Sequence, residues 1–192
     1  MLKIIFFLAI LAFASAYVIS KCRGKPASGP GQNYVQKFYY DPIWNLCFAF
    51  KYGGVGGNGN KHDTRMKCMD SCKNNDESMC LGPEQPKATT ILQVDAPGYE
   101  EGKCGKGVHC PIGHFCYDGD GKVLCCPTEY EDAFSQAHNL VCPNGTKAAG
   151  VYEGFFIATV AKTCDDLICD PGYACQQVNK YFANCCEDKA NM

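Results

Sequence analysis

The stretch FYYDPIWNLCFAFKYGGVGGNGN, Phe38 to Asn60, sets aromatic residues in alternation on either side of Asp41 to Asn45, then gives way to glycine and asparagine. Alternation of period two, a polar break and a second alternating run predict a twisted β-hairpin. Further on, CMDSC places Cys68 and Cys72 four residues apart, on one face of a short helix that Asp63 or Thr64 can cap. Cys22 precedes the hairpin and Cys47 lies within its second half.

The whole chain has 192 residues and 16 cysteines, an even count at a density that marks disulfide scaffolds. Such a set argues against a cytosolic enzyme, where reducing thiols keep pairs open. Met1 to Ala16 has a positive start at Lys3, an apolar run from Ile4 to Phe13 and the small-residue exit Ala14-Ser15-Ala16. That is the pattern of a secretory signal peptide, with cleavage after Ala16. A membrane anchor would need about 20 apolar residues, roughly twice this run. The expected location is secreted and extracellular, with no membrane span. Eighteen basic against twenty acidic residues give no strongly charged face, so nucleic acid is not an expected partner.

The other twelve cysteines repeat. From Cys80 the gaps are 23, 5, 5, 8 and 0 residues, through Cys104, Cys110 and Cys116 to Cys125-Cys126. From Cys142 they are 21, 4, 5, 9 and 0, through Cys164, Cys169 and Cys175 to Cys185-Cys186. Two units of one pattern follow. Local sequence agrees, with CPIGHFC at 110–116 facing CDPGYAC at 169–175. A bridge between adjacent cysteines is strained, because neighbouring α-carbons lie about 3.8 Å apart; all pairings that avoid it stay open. The gapped order and terminal Cys-Cys resemble the lustrin-type cysteine-rich repeat of extracellular and matrix proteins.

The first module carries the sharper pattern. FYYD before Cys47, Phe50, the segment from Tyr52 to Asn60 and the closing CMDSC closely resemble the Kunitz (BPTI-type) serine protease inhibitor domain. The resemblance implies bridges Cys22-Cys72 and Cys47-Cys68. It also implies a third bridge whose cysteines would fall nine residues after Cys22 and eight after Cys47, where this chain has Gly31 and Val55. Losing both partners together leaves no orphan thiol but removes roughly 3 kcal/mol of chain-entropy stabilisation. By the same resemblance, the protease-contact loop is Gly29, Pro30, Gly31, Gln32, Asn33 and Tyr34, with Gly53, Gly54, Val55 and Gly56 as a secondary loop. Gln32 maps to the residue that fills the primary specificity pocket. Inhibitors of trypsin carry Lys or Arg there, and Gln32 cannot pair with an acidic pocket floor. Gly31 adds backbone freedom to an extended loop whose binding depends on preorganisation.

Other motifs weigh less. Gly54 to Gly59 fits GxGxxG but lacks any strand–helix–strand context. His109-Cys110 and His114-Phe115-Cys116 have metal-ligand residue types, yet an even disulfide count in a secreted chain outweighs zinc. Asp118-Gly119-Asp120-Gly121 reads as a hairpin turn, not a calcium loop, since the closing Glu is missing. None of the four histidines lies in a catalytic motif, so no catalytic residue, metal or cofactor is expected. Asn144-Gly145-Thr146 is the chain's N-glycosylation sequon. Phe155 to Ala161, FFIATVA, is expected to be one short strand, and Glu129 to Asp132 a solvated acidic stretch.

The expected fold is a small disulfide-rich α+β protein. Its domains are a signal at 1–16, the Kunitz-like domain at 17–75, a lustrin-like repeat at 80–127, a linker at 128–141 and a second repeat at 142–187. The expected function is serine-protease inhibition through the loop around Gln32, weakened or altered in specificity, with an extracellular serine protease as partner. The alternative is a non-inhibitory matrix or structural protein that uses these modules as scaffold, with matrix proteins as partners.

Overall fold

A computed structural model describes residues 21–73, 80–84, 86–87, 90–91, 99–101, 108–119 and 122–189. The signal sequence, Cys104 and the turn residues Asp120 and Gly121 lie outside the described residues.

The alternating aromatics form strands β1 (Val35–Asp41) and β2 (Leu46–Tyr52), paired antiparallel from Val35 opposite Tyr52 to Asp41 opposite Leu46. Asn45 closes the turn at φ 50°, a left-handed conformation that asparagine tolerates better than most residues. Helix α1 (Arg65–Cys72) starts at Thr64, whose side chain accepts a hydrogen bond from the Lys67 amide at 3.1 Å. Bridges Cys22–Cys72 and Cys47–Cys68 tie the N-terminal segment and the hairpin to this helix. Asn60, fully buried, completes the tie. Its Oδ1 accepts from the Tyr40 amide at 2.9 Å, and its Nδ2 lies 3.2, 2.6 and 2.8 Å from the carbonyl oxygens of Cys22, Gly24 and Tyr40. The fold is therefore the small disulfide-rich α+β type.

Burial on β2 departs from strict alternation. Leu46, Cys47, Phe48, Ala49 and Phe50 are buried in succession, the pattern of a strand covered on both faces. The cover comes partly from the second repeat. Ala49 joins Ala161, Leu167, Ala183 and Cys185 in one apolar cluster, and Phe48 stacks on Phe182 with ring centroids 5.8 Å apart. The chain divides into two compact units. One holds residues 1–42, 46–73 and 137–192, so it contains both the first module and the second repeat; the other holds 43–45 and 74–136.

In the first unit the second repeat adds hairpin β8 (Gly150–Tyr152) with β9 (Phe156–Ala158), and a sheet in the order β10 (Val160–Ala161), β12 (Ala183–Glu187), β11 (Tyr173–Gln177). The run FFIATVA, expected as one strand, is two: at Thr159 the chain changes partner, with its amide donating to the Ala149 carbonyl at 3.1 Å. Bridges run Cys142–Cys186, Cys164–Cys175 and Cys169–Cys185, first to sixth, second to fourth and third to fifth.

In the second unit, β3 (Thr90–Ile91), β5 (Val108–Pro111) and β4 (Tyr99–Glu101) form one sheet, and β6 (His114–Gly119) pairs with β7 (Lys122–Pro127). Cys80–Cys126 and Cys110–Cys125 reproduce the first-to-sixth and third-to-fifth bridges. Within the stretch read as a linker, Thr128–Ala137 forms helix α2. Its acidic residues Glu129 and Glu131 sit in the first turn, where the helix dipole favours them, while Tyr130, Ala133 and Ala137 are buried at helical spacing. Glu129 to Asp132 thus lies in the first half of an amphipathic helix, with Tyr130 edge-on to Trp44 at 5.5 Å.

Candidate functional site

The segment before β1 and the segment after β2 meet through glycine. A side chain cannot be added at Gly31 without collision, because a Cβ there would lie 1.9 Å from the Gly53 carbonyl oxygen. Gly29 has φ +72°, and a Cβ there would lie 1.9 Å from the Val55 carbonyl oxygen. The Gly53 amide donates to the Ser28 carbonyl at 2.8 Å, which pins the two segments backbone to backbone. The secondary segment is held in turn by Tyr52, whose hydroxyl donates to the Gly56 carbonyl at 2.7 Å. Lys61 lies over the Tyr52 ring, 3.8 Å from its centroid, and donates to the same carbonyl at 3.1 Å.

Gly29–Tyr34 and Gly53–Gly56 therefore lie side by side. Gln32 and Asn33 are exposed, as are Tyr34 and Val55. Positions 31 and 55 face each other: the Val55 Cγ2 lies 3.4 Å from where a Cβ on Gly31 would stand. No bridge joins them; close backbone contact and a valine methyl fill the place. The loop is not extended throughout, since the Tyr34 amide donates to the Gln32 carbonyl at 3.0 Å and bends the chain over residues 32 to 34.

The cysteines of the two His-Cys motifs are engaged in disulfides. Cys110 is bridged to Cys125, and Cys116 is also disulfide-bonded. Among the described residues, the one cluster of metal-ligand types is Cys22, His62 and Cys72, and its two sulfurs are bonded to each other. His62 stands against that bridge, Nε2 3.4 Å from the Cys72 sulfur. Burial, with a smaller contribution from Lys21, holds the His62 imidazole below its ordinary pKa and outweighs the opposing pull of Asp63.

Sequence reasoning missed Gln36. Its side chain reaches both β2 and the second repeat, and a single glutamine in an alternating strand carries no periodic signal. It also gave no role to Asn60, whose position at the end of the glycine segment is the available clue.

A two-bridge hairpin and helix with an exposed, glycine-backed loop define a Kunitz-type inhibitor domain, and residues 21–73 match the family described as the Kunitz/Bovine pancreatic trypsin inhibitor domain. The chain belongs to that family, and the relatives named as Kunitz-type serine protease inhibitors are inhibitors rather than enzymes. It is 32% identical over 152 residues to the Major allergen Ani s 1 of Anisakis simplex, covering 78% of this chain and 75% of that one. A BPTI/Kunitz inhibitor domain-containing protein of Caenorhabditis elegans is 27% identical over 154 residues, 79% of this chain and 78% of its own. Kunitz-type serine protease inhibitor A of Rhipicephalus microplus is 42% identical over 57 residues, 30% of this chain and 47% of its own. The two longer matches reach well beyond the inhibitor domain. Seven disulfides among the described residues fit an oxidising, extracellular setting, and no helix there is long and apolar enough to cross a membrane.

Proposed function

We propose that this is a secreted inhibitor that occupies the cleft of an extracellular serine protease with Gly29–Tyr34, presenting Gln32 to the specificity pocket, and that it binds trypsin weakly. The observation that carries the reading is the exposed loop held against Gly53–Gly56 by direct backbone contact on an otherwise intact Kunitz framework. Two features weaken it. Gln32 offers no cation, and its carbonyl must give up the Tyr34 amide before protease donors can take it. Titration of trypsin, chymotrypsin and elastase with the purified protein tests the proposal. Micromolar or weaker trypsin inhibition is expected, with more than tenfold improvement on Gln32→Lys. Nanomolar trypsin inhibition by the unaltered protein would refute the weakness, and no inhibition of any protease would favour a scaffold role.

The shared first-to-sixth and third-to-fifth bridges support reading 80–127 and 142–187 as copies of one lustrin-type unit. Asn144 is exposed, and its Oδ1 accepts from the Thr146 hydroxyl at 2.7 Å and from the Thr146 amide at 3.0 Å. The exposure of Asn144 supports glycosylation there in a secreted chain.

A further inference from the structure

Gln36 lies on β1, four residues beyond Gln32. Its amide makes three hydrogen bonds. The Nε2 donates to the Phe50 carbonyl at 2.9 Å and to the Asp166 carbonyl at 3.0 Å, and the Oε1 accepts from the Ile168 amide at 2.7 Å. Two carbonyls and one N–H as partners fix which end of the amide is which. One side chain thus joins the strand leaving the contact loop, the strand returning to the secondary loop and a segment of the second repeat about 130 residues away.

That segment is a stiff anchor. It begins in a short 3-10 turn, Cys164–Asp166, and stands between bridges Cys164–Cys175 and Cys169–Cys185. Leu167, between the two clasping residues, is buried with Ala49, Ala161, Ala183 and Cys185. A second tie, the ion pair of Lys162 with Asp41, holds the far end of β1. The contact loop, by contrast, has no covalent closure at Gly31 and Val55.

We infer that the second repeat is a working part of the inhibitory head: through Gln36, a positioning residue, it clamps the strand that leaves the contact loop and so holds the loop in its binding form. The inference rests on the protease-binding reading above, but the clamp is measurable without a protease. Gln36→Met keeps length and bulk and removes all three hydrogen bonds. Val160→Ala, in β10 of the same unit, serves as a purely destabilising comparison. In the full-length protein, amide exchange over residues 31–36 is read alongside global unfolding by guanidinium, with dissociation from whichever of trypsin, chymotrypsin or elastase is bound.

At equal global stability, Gln36→Met is expected to speed loop exchange at least tenfold beyond Val160→Ala and to shorten complex lifetime by a similar factor. Equal loop exchange in the two variants would overturn the clamp and leave Gln36 a merely structural residue. Weakened binding with unchanged loop exchange would also overturn it, since Gln36 would then act on the protease directly. Faster loop exchange in a protein that inhibits none of the three enzymes would uphold the clamp and bring down the inhibitor reading instead. If Gln36→Met does not fold, the unaltered protein still answers: the Ile168 amide and the amides of residues 34–36 should open with the same denaturant dependence, and different dependences would refute the coupling.

Discussion

Restoring the lost bridge by Gly31→Cys with Val55→Cys looks, from sequence, like a gain of roughly 3 kcal/mol for a loop of this length. The structure predicts much less. A Cβ at position 31 falls 1.9 Å from the Gly53 carbonyl oxygen, so the two segments must part by more than 1 Å to reach ordinary contact. Overpacking of this kind costs about 1–3 kcal/mol, which leaves a net gain between about 0 and 2 kcal/mol. Gly31→Ala isolates the cost, because it adds the Cβ and forms no bridge. The direct reporter is the Gly53 amide, which donates to Ser28 across the contact. At tenfold per 1.4 kcal/mol, its exchange should accelerate roughly 5- to 150-fold in Gly31→Ala. Val55→Ala, at an exposed position, should leave it within a factor of three. Hydrogen exchange followed by mass spectrometry or NMR measures both. An unchanged Gly53 rate in Gly31→Ala would refute the argument that backbone contact between glycines has taken the place of the bridge.

Three further outcomes follow from the same geometry. Burial, with a smaller contribution from Lys21, puts the folded pKa of His62 below its unfolded value; stability is full above about pH 6.5 and declines as pH falls toward the folded pKa. Guanidinium midpoints between pH 7.5 and 5 should fall less in His62→Phe than in the unaltered protein, and an equal fall would refute the assignment. Phe182→Ala removes a fully buried ring stacked on Phe48 and should cost about 3–5 kcal/mol, read as a drop in unfolding free energy that includes the inhibitor domain. Protein secreted from eukaryotic cells should lose mass on treatment with a peptide-N-glycosidase, and Asn144→Gln should abolish that loss; an unchanged mass would exclude a glycan at Asn144.

The parts legible in sequence are those that local chemistry decides alone. Cysteine spacing, alternating aromatics and the glycine–asparagine segment mark out the inhibitor domain because hairpins, caps and backbone contacts each leave a signal within a few residues. Helix α2 was hidden because its acidic residues dominate the stretch, although Tyr130, Ala133 and Ala137 recur at helical spacing. The joining of the second repeat to β2 was hidden for a different reason. Its contacts are made by small or singular residues, Ala49, Ala161, Ala183 and Gln36, whose burial depends on a surface more than a hundred residues away in the chain. The five consecutive buried residues of β2 were the readable trace: Leu-Cys-Phe-Ala-Phe is apolar throughout, which a strand with one wet face does not require. An apolar run of that kind in a domain too small to cover both faces implies a cover from elsewhere. In this chain the cover also holds β1, the strand that follows Gly29–Tyr34, so any action of that segment on a protease has to be measured with the second repeat in place.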